Sequence, residues 1–223
     1  MNYASVHHAE LQEKVSGFAA QIVALVGSRL CHDLISPLGA IGNGVELLRM
    51  TGGWPGLETS PEMGLIEDAL QSAQARISCF RIAFGTAGET QRISRTELTA
   101  LISDMERAGR LNVTLLAEGD QARGIVKLLL LSLMCLETAM PWGAQVTIGQ
   151  QDREWRLAAR ADRVRTDSAL WSWLDDGVVD ASGVDGQVPI ASEVHFPLLG
   201  MAAADMGRRI RWSLSETGGE IVF

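Results

Sequence analysis

The chain has 223 residues, 47% of them hydrophobic and 21% charged, which is the composition of a folded protein with a sizeable core and not of a disordered one. Its net charge of -8 argues against a nucleic-acid backbone as the main partner. The start of the chain shows no basic stretch followed by an apolar signal core, and the most apolar run, Leu128 to Leu136, is about half a membrane span, so the expectation is a soluble, cytoplasmic protein. Cys31, Cys79 and Cys135 lie far apart without C-x-x-C spacing and read as reduced, buried small hydrophobes. The four histidines do not cluster with them, so no zinc site is expected.

Residues 8 to 86 carry helical periodicity and little else. The first predicted helix runs to about Met50 and contains "SRLCHDLISPLGAIGN", residues 28 to 43. At about 100° per residue, Val23, Leu30, Leu34, Ile41, Val45 and Leu48 fall on the pole opposite His32 and form the expected buried stripe. Around His32 lie Ser28, Arg29, Ser36, Gly39 and Asn43, so the imidazole is expected on the solvent face among slight neighbours. Pro37 removes the hydrogen bond to the carbonyl of Asp33 and is expected to bend the helix just beyond the histidine. A mid-helix proline costs about 3 kcal/mol, which a purely structural helix has little reason to accept. Asp33 can hold one ring nitrogen and leave the other free to react.

The turn "TGGWPGLET" precedes a second helix, with Ser60 as N-cap and Pro61 at the first helical position. Met63, Ile66, Leu70, Ala73, Ile77, Phe80 and Phe84 then recur at spacings of three and four, and Gly85 reads as the stop. Two such helices make a hairpin that cannot enclose much apolar surface. Either the second half of the chain covers it, or two hairpins dimerise into a four-helix bundle, which is the favoured alternative. From about residue 90 the pattern is mixed. Residues 112–119, 144–151, 154–161, 209–216 and 219–223 read as strands, and 95–107, 121–139 and 196–206 as helices. The expected fold is α+β: a helical hairpin at 1–88 and an α/β sandwich at 89–223.

The stretch "HDLISPLGAI" resembles the phospho-acceptor segment of sensor histidine kinases. The longer run "SRLCHDLISPLGAIGNGVELL", together with "FRIAFG" ending the second helix, is more similar to ChpT-type histidine phosphotransferases. That resemblance implies a homodimer with a C-terminal domain shaped like a degenerate histidine-kinase ATPase domain. Aligned on Pro141 and Gly143, Cys135 stands where a kinase has its nucleotide-binding Asn, and a thiol is a poor partner for magnesium or phosphate. "ARADRVRTDSALW" lacks the glycines of the adenine-reading motif, and "SEVHFPLLGMAAADMG" replaces a Gly-rich phosphate loop. The expectation is therefore no ATP binding, with His195 structural.

The implied mechanism casts His32 as phosphoryl carrier and Asp33 as its orienter. Arg29 either meets phosphate or acidic receiver groups or is simply solvated. Ser28, Ile35, Ser36, Leu38, Gly39, Gly42 and Asn43 would form the receiver-docking surface. No cofactor is implied, because the partner receiver domain supplies the Mg²⁺. The implied partners are the receiver of a hybrid histidine kinase like CckA and response regulators like CtrA and CpdR, with neither nucleic acid nor membrane. Two alternatives remain at this point: an active sensor-type histidine kinase, and a non-enzymatic dimeric adaptor for receiver domains.

Overall fold

The computed structural model describes residues 27, 31, 34, 35, 38–50, 56, 60–86, 90–175 and 190–223. The first helix, α1, is continuous over 38–50, and residues 27, 31, 34 and 35 are also helical. It pairs with α2 (Pro61–Ala83), whose N-terminus is closed by the Ser60 hydroxyl accepting from the Met63 amide at 3.1 Å. The two helices run antiparallel. Gly27 lies beside Phe84, Gly42 beside Leu70, and Arg49 pairs with Glu67 at 2.9 Å.

The face that α1 turns to α2 is thus built of small residues, with Cys31 buried in it. The stripe expected to be buried behaves differently within one chain. Leu34, Ile41 and Leu48, spaced by sevens, stand 50%, 52% and 47% exposed, and Val45 is half-buried. Val23 and Leu30 lie outside the described residues. The physical reason is simple: two helices can cover only one side of each other. On α2 the same limit shows along its length. Met63 is buried, but Leu65 and Ile66 are exposed, whereas Ala75, Ile77, Cys79, Ile82 and Ala83 are buried where other helices reach the second half.

Helix α2 ends at Ala83, and Phe84 caps it in a right-handed conformation. Gly85 is required there by close approach, since a Cβ on it would lie 2.3 Å from the Arg81 carbonyl oxygen. The chain continues through β1 (Arg92–Ile93), α3 (Arg95–Ala108), β2 (Leu111–Leu115), β3 (Gln121–Ala122), α4 (Arg123–Ala139), β4 (Ala144–Gln151) and β5 (Glu154–Arg160). It then passes through the short α5 (Ser168–Trp171) and a 3₁₀ turn at Ser172–Leu174. After residues 176–189 come a second 3₁₀ turn (Ala191–Glu193), α6 (His195–Asp205), β6 (Arg211–Ser215) and β7 (Gly218–Val222). The main sheet has the order β2-β4-β5-β7-β6, with β2 parallel to β4 and the other pairs antiparallel. Strands β1 and β3 form a small antiparallel pair of their own, too short to carry a period legible in sequence.

One face of the sheet is buried and the other open. Val146, Ile148, Trp155, Leu157, Ala159 and Ile221 point into the core, while Gln145, Thr147, Arg156 and Arg160 alternate outward. Helix α4 fills the space above the buried face. Leu128 to Leu131, Leu133, Cys135 and Leu136 all have no exposed surface, and only a narrow stripe through Arg123, Lys127, Met134 and Thr138 stays half-buried. Among the described residues no helix is long and apolar enough to cross a membrane. Replacing Leu157 with Ala, at the contact between sheet and helices, should lower the unfolding free energy by about 2–5 kcal/mol in urea titration.

Candidate functional site

Three groups of residues proposed from the sequence meet different fates. His32, Asp33, Arg29, Ser28 and Ser36, like Pro37, lie outside the described residues. Of the docking positions that are described, Ile35, Gly39 and Asn43 follow at spacings of four and share one stripe of α1. Ile35 and Asn43 are exposed, and no atom beyond the helix lies within 4 Å of where a Gly39 Cβ would sit. Leu38 is half-buried, and Gly42 is turned to α2, where a Cβ would meet Leu70 at 3.0 Å.

The region that resembles a nucleotide site is packed side chain on side chain. Cys135 has no exposed surface, and burial pushes its thiol well above the usual range. Phe196, Leu199 and Ala203 of α6 belong to the same core as the α4 leucines. Trp171 meets Phe196 edge-on at 5.5 Å between ring centroids and Trp212 at 5.3 Å. The Trp212 indole N–H donates to Asp175 at 2.8 Å, which fastens the 168–175 segment to β6. Where a phosphate loop would need backbone space, Gly200 instead closes on the Trp173 carbonyl, 2.9 Å from a Cβ position.

His195 begins α6 in this packed region. It is buried, and its Nε2 lies 3.1 Å from the Thr138 hydroxyl, which itself donates to the Met134 carbonyl at 3.0 Å. With that hydroxyl proton committed, the imidazole is the donor in the pair. Burial pushes its pKa down to about 4. It is a neutral, satisfied core histidine.

A cavity of about 40 Å³ lies between α2, α3 and α4, lined by Cys79, Phe80, Met105, Met134 and Glu137 among others. It is water-sized and far below the volume of a nucleotide site. The Cys79 thiol donates to the Leu101 carbonyl at 3.6 Å and is pushed up to about 12 by burial. All three cysteines are free and buried. Among the described residues no group of three or more His, Cys, Asp or Glu side chains could hold a metal ion. Sequence reasoning passed over two surface features: the exposed Trp142 with the Arg163 guanidinium 4.2 Å above its ring, and the paired cations Arg123 and Lys127 at the end of α2. A cation four residues after another on a predicted helix was the only available signal for the second.

The family described as "Histidine phosphotransferase C-terminal domain" matches residues 95–218, more than half of the chain. This protein belongs to that family. The relative "Protein phosphotransferase ChpT" of Brucella abortus (strain 2308) is 47% identical over 70 residues, a stretch that covers 31% of this chain and 31% of that protein. The match therefore spans about a third of the relative's length. A solved structure of a bacterial phosphotransferase superposes with a TM-score of 0.63 at 24% identity, covering 92% of this chain and 95% of that one. At that identity the likeness is one of fold: the mixed helix-and-sheet arrangement is shared over nearly the whole length.

The buried His195 sets a pH dependence. An imidazole that titrates near 6.5 when unfolded and at about 4 when folded resists protonation in the native state. Its contribution is complete above pH 6.5 and erodes as pH falls from there toward 4, by up to roughly 3 kcal/mol. Urea titrations at pH 7 and pH 4.5 should show that loss, and His195→Leu should flatten it in the same window.

Proposed function

We propose that the chain is a histidine phosphotransferase of a bacterial phosphorelay, carrying phosphoryl on His32 between receiver-domain aspartates. The observation that carries this reading is the family match over residues 95–218 in a chain whose first helix holds "HDLISPLGAI". A lone-pair nitrogen of the neutral imidazole attacks the phosphorus of the donor's aspartyl phosphate. The P–N bond forms as the P–O bond to the carboxylate breaks, and the aspartate leaves as its anion. The remaining ring proton stays on the other nitrogen, held by Asp33. In the second transfer a carboxylate of the next receiver attacks the same phosphorus and the imidazole leaves. Positioning and charge neutralisation do most of such catalysis, and the receiver's own Mg²⁺ supplies the metal. Arg29 is proposed to meet the phosphate or the acidic rim of the receiver, beside a docking surface of Ser28, Ile35, Ser36, Leu38, Gly39 and Asn43; Gly42, expected there from the sequence, faces α2 instead.

The chain acts without ATP in this reading. The filled space between α4 and α6, the buried Cys135 and the closed Gly200 support that. The working unit is a homodimer whose paired hairpins (1–88) form a four-helix bundle, with the 89–223 unit outside it. Leu34, Ile41 and Leu48 on α1, with Leu65 and Ile66 on α2, are exposed in one copy and supply the apolar surface such a bundle buries. The partners are the receiver of a hybrid kinase like CckA and regulators like CtrA and CpdR, in the cytoplasm.

A purified phosphorylated receiver domain mixed with the protein tests the central step. Wild type should drain phosphate from the donor and hold it in acid-labile, base-stable form, and His32→Ala should abolish both. Equal drainage by the two would point to an adaptor or phosphatase. Label on His32 from ATP alone would point to a kinase.

A further inference from the structure

Helix α2 is the element shared by the hairpin and the sheet-bearing unit, with α1 on it and α3 and α4 also packed against it. Its C-terminal end is closed by two cations that belong to α4. The Lys127 ammonium donates to the Gly85 carbonyl at 2.9 Å, and the Arg123 guanidinium reaches the Arg81 carbonyl at 3.4 Å. The last carbonyls of a helix have no partner within it and carry the negative end of its dipole, so cations are favoured there. Four residues apart, the two side chains project from one face of α4.

Water could satisfy those carbonyls at an exposed helix end. Here the chain uses a half-buried lysine, whose pKa burial pushes down, and an arginine whose Nε is buried without a partner. Both features oppose folding, so the pair does more than finish a helix. Asp205 of α6 faces Lys127 and favours its charge, which adds a third element to the same junction. The other flank of the contact leaves a small void. The cavity of about 40 Å³ lies there, lined by Cys79, Met105 and Met134. Methionines adapt their shape readily and hold a fixed angle poorly. Cys79, Ile82 and Ala83 of the last turns of α2 are buried in the core shared with α3 and α4, and the two cations hold the end of the helix.

We propose that Lys127 and Arg123 are positioning residues: by holding the Arg81 carbonyl in the last turn of α2 and the Gly85 carbonyl just beyond it they fix the angle at which the sheet-bearing unit stands on the hairpin, and keep that unit clear of the receiver-facing side of α1. The proposal rests on the phosphotransfer reading for its consequence, though not for the clamp itself. If the pin is released, the unit swings over the landing surface, so receivers bind less well while the transfer step, once they are seated, is unchanged.

The full chain with Lys127→Met and with Lys127→Arg tests this, using a phosphorylated receiver domain as donor. Lys127→Met should raise KM for the donor several-fold at an unchanged maximal rate, and Lys127→Arg should restore it. Hydrogen exchange should quicken at the end of α2, over residues 80–86, and stay as in wild type across β4 and β5. A reduced maximal rate with KM intact would mean only a loss of folded molecules and would overturn the proposal, as would quickened exchange with no change in KM. Should Lys127→Met not fold, Arg123→Met, which also removes the stranded nitrogen, is measured in the same way, and a wild-type KM then refutes the idea. If wild type itself accepts no phosphate, the phosphotransfer reading has failed, and the exchange measurement alone judges the clamp.

Discussion

Everything else in this fold is arranged around one helix whose central six residues are out of reach of water. The six consecutive residues Leu128 to Leu133 of α4 are fully buried, which is possible only when a sheet lies against one side and other helices lie against the rest. Parallel β2 and β4 flank α4 in sequence and provide that sheet; α2 and α6 close the remaining sides. A helix so apolar cannot stand on a surface. The positions of its neighbours follow from that constraint.

The same burial accounts for the character of the sheet-bearing unit. Side chains of α6 and the Trp171–Trp173 segment enter the core formed with α4, and the His195–Thr138 hydrogen bond satisfies the polar groups this traps. Only Ser132 Oγ and Arg123 Nε are left buried without a partner among the described residues. Space that would otherwise be a cleft is spent on packing. The chemistry proposed for the chain falls on its helical hairpin.

The hairpin is the opposite case. Its helices meet through glycines and a cysteine on α1, which allows close approach but buries little apolar area. Leu34, Ile41 and Leu48 on α1 keep heptad spacing and stay exposed, and the adjacent Leu65 and Ile66 on α2 are exposed too. Stability in this half of the molecule therefore depends on what it packs against, which makes the α2 junction with α3 and α4 the mechanical link between the hairpin and the sheet-bearing unit.

Much of this was legible in the residues themselves. Strand β4 spans the same residues, 144–151, that alternation marks out, and α2 begins at Pro61 behind its Ser60 cap, because period and capping are local properties. Cys135 was legible as a buried residue from the wide spacing of the cysteines, and His195 as structural from the family resemblance of its segment. Tertiary structure decided the rest. The two-residue strands β1 and β3 exist only because they pair with each other, although α3 and β2 separate them in sequence. The stripe of Leu34, Ile41 and Leu48 is apolar by sequence, yet burial depends on a neighbour that periodicity does not specify. Gly42 shares a sequence neighbourhood with Asn43, but helix phase turns one toward α2 and the other to solvent. The Lys127 and Arg123 contacts join residues 42 apart along the chain, and long-range pairing of this kind is set by how whole elements pack.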